Sequence, residues 1–305
     1  MSRSAVLTDA QWELIEPLMP SSDGKRGNRF RDHRTIVEAV VYRFRTGIAW
    51  RDLPERFGPW QTVWKRHRRF SGDGTWDRIH TALLAHADAV GEIDWNVSVD
   101  STINRAHQHG TNLTRVTPRP SGAQGALSNH KNLLLEPADH AVGRSRGGLS
   151  TKIHHLCDGN GRPLVLLLGP GQANDSPMFP NLLNAIRVPR LGPGRPRTRP
   201  DAVLGDKAYS SRGNRALLRS RGITAVIAEP SDQVGNRKRK GSKGGRPPGF
   251  DAEAYKGRNV IERSFNVLKQ WRGLATRYDK LALTYRGGVV LGAIVTWLRE
   301  LGDTP

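Results

Sequence analysis

Four side chains in the last quarter of the chain have types and spacing suited to phosphoryl chemistry: Tyr255, Arg258, Glu262 and Lys269, in the pattern Tyr-x2-Arg-x3-Glu-x6-Lys. At ~100° per residue they share one stripe of a helix over residues 251–272, while Val260, Ile261, Val267, Leu268 and Trp271 share another and are expected to pack inward. A charged stripe is ordinarily solvated surface. Here the order of types argues for more: a carboxylate binds a hard metal ion, and a guanidinium and an ammonium bind phosphate oxygens, so one face holds a metal and a phosphodiester together. Gly257 and Asn259 weaken the first turn, so the regular helix is expected to begin near Arg258, with Tyr255 on its approach.

Two further carboxylates stand where strands end. Residues 95–101 alternate apolar Trp95, Val97 and Val99 with polar partners and end near Asp100; residues 202–204 are a short apolar run, a buried strand, with Asp206 just past it in Gly-Asp-Lys-Ala-Tyr. In open α/β sheets, sites form at strand ends, so carboxylates distant in sequence can converge there. Phosphodiester cleavage needs such a set: two carboxylate-bound divalent ions activate the attacking oxygen and stabilise the leaving one. Carboxylates suit magnesium or manganese and not softer metals. Taken singly, each Asp reads as a cap or turn residue, and Asp175, ahead of Ser176-Pro177, is expected to cap a helix.

These residues must be positioned by a sheet. From residue 95 onward the pattern runs strand, strand, strand, helix, strand, helix, strand, basic arm, helix, helix: a mixed α/β sheet covered by helices, the ribonuclease-H-like layout. Asp158-Gly159-Asn160-Gly161 marks a hairpin between the second and third strands. Residues 102–148 read as a loop-rich insertion, in which Arg144 and Arg146 flank glycines that let backbone approach a phosphate. Residues 233–249 read as a flexible Gly/Lys/Arg arm. Ahead of residue 92 the spacing is helical throughout, from the Thr8/Gln11 capping box to a helix-turn-helix pattern whose second helix, residues 60–70, is expected to point Lys65, Arg66, Arg68 and Arg69 outward to DNA. The expected division is 1–91, helical and DNA-binding, and 92–305, catalytic.

Composition narrows the partner. The 305 residues carry 48 Lys and Arg against 28 Asp and Glu, a formal +20, which calls for a polyanion. No apolar run is long enough to span a bilayer and residues 1–11 lack a signal-peptide core, so a cytoplasmic, nucleoid-associated protein without membrane contact is expected. Cys157 is the only cysteine, which excludes an internal disulfide or cysteine-based zinc site. His107, His109, His130 and His140 lie in a polar stretch without ligand spacing and read as solvated.

The Tyr-Arg-Glu-Lys spacing, Asp100 followed by Ser-Thr, and Asp206 within Gly-Asp-Lys-Ala-Tyr resemble the motifs of insertion-sequence DDE transposases, in particular the insertion-sequence-four superfamily and its insertion-sequence-five-like members, whose N-terminal domain the first 91 residues also resemble. The resemblance implies Asp100, Asp206 and Glu262 as ligands of two magnesium ions, replaceable by manganese, with Lys207, Tyr255, Arg258 and Lys269 near the cleaved strand. It implies binding of double-stranded DNA, both element ends in terminal inverted repeats and target, as a homodimer or larger assembly, with cleavage and strand transfer. A domesticated, non-cleaving DNA-binding protein and another ribonuclease-H-like nuclease are the alternatives; the second leaves Tyr255, Arg258 and Lys269 without a role.

Overall fold

Helix α1 (Asp9–Ile15) starts at the expected capping box, Thr8 Oγ1 accepting from Gln11 N–H and Gln11 Oε1 from Thr8 N–H. Asp32 caps α2 (His33–Thr46) through Thr35 N–H at 2.8 Å. Gly47 ends α2 at φ 74°, and a Cβ there would lie 2.8 Å from Arg272 Cβ, so no other residue fits. Helices α3 (Trp60–Gly72) and α4 (Thr75–Ala89) complete the N-terminal unit. The computed structural model describes residues 7–24, 29–112 and 134–302; His130 and much of the expected insertion lie outside them.

Strand β1 (Asn96–Ala106) is the centre of a sheet of seven strands among the described residues. After the helical turn α5 (Gln108–Thr111) come β2 (Gly143–Ser145), β3 (Gly148–Cys157) and β4 (Pro163–Pro170), the last two joined by the expected hairpin. Next are α6 (Phe179–Ala185), β5 (Ala202–Gly205), α7 (Arg212–Ser220), β6 (Thr224–Ile227) and α8 (Ser231–Arg239). The chain closes with α9 (Ala252–Lys256), α10 (Asn259–Lys269), α11 (Arg272–Ala275), β7 (Thr276–Arg277) and α12 (Ala282–Gly302). Strand β3 runs antiparallel to both its neighbours β4 and β1, and β5 and β6 continue the sheet parallel to β1. The order β4-β3-β1-β5-β6 is that of the ribonuclease-H-like fold.

Two expectations change. The segment expected to be loop from residue 102 is strand as far as Ala106, because β3 pairs with it to Arg105 and β7, far later in the chain, pairs with Arg105 and Ala106. The first part of the expected basic arm is the helix α8, started by Pro230 and tied down by an ion pair from Arg237 to Glu229.

The core is continuous across residue 91: a single apolar cluster includes Leu7, Phe44, Trp76, Val97, Leu156 and Trp297. Helix α12 lies against α1–α4 and β4, and Gly288 lets it approach α2, since a Cβ there would sit 2.4 Å from the Phe44 ring. Although α12 is long, no helix among the described residues is long and apolar enough to cross a membrane. The same junction holds a buried ion pair, Arg43 Nη1 to Asp279 Oδ2 at 2.9 Å, with side chains 2% and 3% exposed. Asp279→Ala leaves Arg43 as an uncompensated buried charge and is expected to cost about 3–5 kcal/mol of stability. Urea unfolding of the variant checks this, and a loss below ~1 kcal/mol would show that the pair is not what locks α2 to the chain after β7.

Two buried histidines at this junction contribute to the acid sensitivity of the fold, as do His154 and His155 in β3, which burial also pushes down. Trp76 Nε1 donates to His67 Nδ1 at 3.3 Å, so Nε2 carries the proton and donates to the Thr284 carbonyl at 3.0 Å; His80 Nε2 bonds the Pro163 carbonyl at 3.1 Å. Burial pushes both down from 6.5 to about 4. The neutral forms are the folded ones, so their contribution is present above pH 6.5 and lost as pH falls through about 4. The unfolding free energy read from urea curves is expected to drop over that window, by up to ~1.4 kcal/mol per pH unit for each histidine, and the urea midpoint with it. A midpoint unchanged between pH 6.5 and 4 would contradict this.

A candidate active site at the end of the central strands

Strand β5 stops at Gly205, opposite Val99, so Asp100 is the first residue of β1 without a β5 neighbour, and Asp206 is the first residue beyond β5. Both carboxylates therefore emerge at one notch in the sheet. Helix α10 crosses β1 and β3, held by Phe265 edge-on to the His155 ring at 5.3 Å, and it carries Glu262 in its first turn. Arg258, the N-cap of α10, reaches back into the notch: its Nη2 pairs with Asp100 Oδ2, and both Nη atoms lie 3.4 Å from Glu262 Oε1. The break expected at Gly257 is there, separating α9 from α10.

Electrostatics mark the same spot. Burial pushes the Asp100 carboxyl up to about 6; the Ser101 N–H at 2.7 Å and Arg258 pull it down, while Asp206 and Glu262 push it up. Burial acts to lower Arg258, but Asp100, then Tyr255, Glu262 and Asp206, hold it above its ordinary value. Perturbation of this kind clusters at functional sites.

Oxygen donors only, three of them carboxylates, are the right kind for a hard divalent ion. Among the described residues no three His, Cys, Asp or Glu side chains stand as a closed metal-holding group, and a guanidinium lies between Asp100 and Glu262. The donor set thus fits such an ion in kind, with Arg258 as the cation among the carboxylates.

The other expected residues are spread around this notch. Lys207 is exposed beside Asp206, and Lys269 is exposed in the last turn of α10. Tyr255 is half-buried against Ala202, Leu204 and Val226, its ring 5.2 Å from that of Phe250. Arg144 and Arg146 are exposed at the β2–β3 turn, where β3 pairs with the far end of β1, about 17 Å along the strand from Asp100 at ~3.3 Å per residue. On α3, Lys65 is exposed and Arg68 half-exposed, and Arg69 pairs with Asp73 at 3.5 Å. Arg66 does not point outward as expected. It is 8% exposed and stacked 3.6 Å over Phe30, where burial lowers its pKa to about 10. Phe30 precedes α2, so nothing local to α3 announces it.

Other expectations also turn out differently. Val267 is 41% exposed instead of packed, whereas Trp271 is buried as expected. His140 is buried and bonded to Glu136 at 2.7 Å instead of solvated. Asp175 makes no cap bond. Its Oδ1 accepts from Lys152 Nζ at 2.9 Å and from Ser101 Oγ at 2.6 Å, so it is tied to the residue after Asp100. Beside it is Tyr209, buried, its hydroxyl without a hydrogen-bond partner among the described residues, and its pKa is raised by burial and then by Asp175, Asp100 and Asp206. Sequence reasoning missed this second layer. Its one visible signal is a lysine at position 152, inside a strand otherwise buried.

Comparison with known proteins bears on the family of the chain. The family described as "Putative transposase of IS4/5 family (DUF4096)" matches residues 7–80, and "Transposase DDE domain" matches residues 94–291. "Uncharacterized protein y4sN" of Sinorhizobium fredii is 39% identical over 36% of this chain and 83% of its own. "Putative transposase for insertion sequence element IS402" of Burkholderia cepacia is 29% identical over 61% of this chain and 85% of its own. "Putative transposase for insertion sequence element IS6501" of Brucella ovis is 30% identical over 50% of this chain and 100% of its own. With the DDE domain covering most of a chain whose strand order is ribonuclease-H-like, and the insertion-sequence-four/five model covering the helices before it, the protein belongs to the DDE transposase family of insertion sequences.

Proposed function

We propose that this transposase binds the ends of its own mobile element, cleaves the DNA there and joins the freed 3′-hydroxyls to target DNA, with Asp100, Asp206 and Glu262 as the ligands of two magnesium ions. The observation that carries the reading is the convergence of Asp100, from the middle strand, and Glu262, from α10, on one guanidinium, with Asp206 beside them. Bound divalent ions supply activation of the attacking water or 3′-hydroxyl and stabilisation of the leaving oxygen. The chain's own residues do the rest. Ser101 N–H fixes the Asp100 carboxylate, Lys207 and Lys269 offer ammonium groups to phosphates of the strand crossing the notch, and Tyr255 supports Arg258 through its carbonyl, which accepts from Arg258 N–H at 3.0 Å. One site serves one end, so pairing two ends calls for at least two copies on DNA. In vitro strand transfer with a duplex carrying the element's own flanking sequence tests the reading; binding without cleavage or joining in magnesium or manganese would favour a non-cleaving DNA-binding protein.

The positive charge divides into two regions with different expected roles. Lys65 and Arg68 stand on a helix shaped for a groove, where base contacts specify; Lys238, Lys240 and Lys243, exposed on and after α8, suit phosphates, which only position. Neutralising Lys65 and Arg68 is expected to reduce preference for end DNA over random duplex. Neutralising the three lysines is expected to weaken all duplexes alike and to lower the salt slope by about 3, at ~0.9 per phosphate contact. Competition binding at several salt concentrations separates the two, and the same loss of specificity from both would reject the division.

A further inference from the structure

We propose that Arg258 is a displaceable cation, which holds Asp100 and Glu262 in the DNA-free protein and transfers to a DNA phosphate when a divalent ion takes its place, so that metal and DNA bind with positive coupling through this one side chain. The proposal rests on the reading of Asp100, Asp206 and Glu262 as metal ligands.

Three features of the site carry it. First, the contacts put the two cations in competition. Arg258 Nη2 sits on Asp100 Oδ2, and a guanidinium has five donors and no acceptor, so a metal ion taking that oxygen sets a divalent charge against a like charge and pushes it away. Second, the grip is uneven. The pair with Asp100 is close and largely enclosed, the side chains 16% and 18% exposed, whereas Glu262 is 53% exposed and lies at 3.4 Å, the outer limit of a hydrogen bond. Arg258 Nε is enclosed and has no hydrogen-bond partner among the described residues, so the guanidinium is not saturated by them where it stands. Third, only the side chain needs to move. Arg258 N–H donates to the Tyr255 carbonyl at 3.0 Å and its carbonyl accepts from Ile261 N–H at 3.1 Å, so its backbone stays fixed at the head of α10.

The coupling follows from charge. Once a metal ion occupies Asp100, the displaced guanidinium is half-buried beside a divalent cation and has lost its anion, which is costly. A phosphate oxygen arriving at the notch relieves that cost, and the planar fork suits it bidentately. By linkage, the factor by which metal tightens DNA equals the factor by which DNA tightens metal, with typical couplings of roughly 5- to 150-fold. A merely structural ion pair predicts the reverse: loss of Arg258 would loosen the notch and weaken metal binding.

The test measures binding alone. Mn²⁺ affinity of the DNA-free protein is read by electron paramagnetic resonance, and affinity for a duplex oligonucleotide of random sequence is read by fluorescence anisotropy with and without Ca²⁺, for wild type, Arg258→Gln, Arg258→Lys and Asp100→Asn. Wild type is expected to bind the duplex at least ~5-fold more tightly in Ca²⁺. Arg258→Gln is expected to bind Mn²⁺ more tightly than wild type and to lose the Ca²⁺ effect on DNA. Arg258→Lys, which keeps a cation at Asp100, is expected to fall between them and guards against a folding defect in the glutamine variant. Mn²⁺ binding that depends on Asp100, together with Arg258→Gln and Arg258→Lys that bind Mn²⁺ no more tightly than wild type or keep the full Ca²⁺ effect, overturns the transfer and leaves the metal site standing. Mn²⁺ binding unchanged by Asp100→Asn overturns the metal-site reading itself.

Discussion

Asp100→Asn, Asp206→Asn and Glu262→Gln are each expected to lower single-turnover DNA cleavage by about 10³-fold or more, a loss far larger than the roughly 5-fold change in duplex affinity expected where coupling to the metal is lost. A metal ion at a phosphoryl centre contributes several kcal/mol of charge stabilisation, and each ~1.4 kcal/mol is tenfold in rate. Affinity belongs instead to the lysines and arginines, of which the chain has 20 more than it has acids. The amides are chosen over alanine because Asp100 also partners Arg258, and Asp206 Oδ1 also accepts from Ala208 N–H at 2.9 Å. The amide keeps the shape and removes the charge. A thermal midpoint measured alongside separates lost chemistry from lost fold, and residual cleavage within tenfold of wild type from any folded member would remove that residue from the set.

The second large effect is expected at Lys269. Seven residues after Glu262, it stands roughly 10 Å farther along α10 at ~1.5 Å per residue, exposed in the last turn. That is too far to ligate or neutralise a metal at Glu262, and close enough for a phosphate of a strand lying across the notch. On the proposed reading its work is positioning, where a misplacement of ~1 Å can cost about 10²-fold in rate. Lys269→Ala is therefore expected to keep duplex and Mn²⁺ binding but to cut and join about 10²-fold more slowly, with Lys269→Arg partly active. Wild-type single-turnover rates in Lys269→Ala would return Lys269 to the status of a solvated surface lysine.

The parts of the fold that follow from local chemistry were legible in the sequence. Asp158-Gly159-Asn160-Gly161 specifies its hairpin, the run at 202–204 its buried strand, and Gly257 the break that sets Arg258 at the head of α10. What was not legible depends on partners far away in the chain. Strand β1 extends to Ala106 because residues 276–277 pair with it, and Arg66 turns inward because Phe30 offers it a ring. Asp175 looks like a cap and is instead held by Lys152 and Ser101, since a buried ammonium outbids a helix N-terminus for a carboxylate. At the site, motif spacing named the three carboxylates, but it could not show that a guanidinium joins two of them. That depends on α10 packing across β1 and β3.

The most direct measurement of the central claim is cleavage by Asp206→Cys in magnesium and in manganese. Asp206 has a rival explanation as the cap of the turn after β5, and a cap is indifferent to which metal is supplied. A thiolate is not: magnesium avoids sulfur, whereas manganese tolerates it better. Cys157, the only native cysteine, is buried, so the new thiol is the one exposed to added metal. If Asp206 touches the metal, Asp206→Cys will be inactive in magnesium and regain a substantial part of wild-type cleavage in manganese, beyond any gain of wild type itself. A folded variant that cleaves equally in both metals, or in neither, would contradict Asp206 as a ligand and with it the three-carboxylate account of the site.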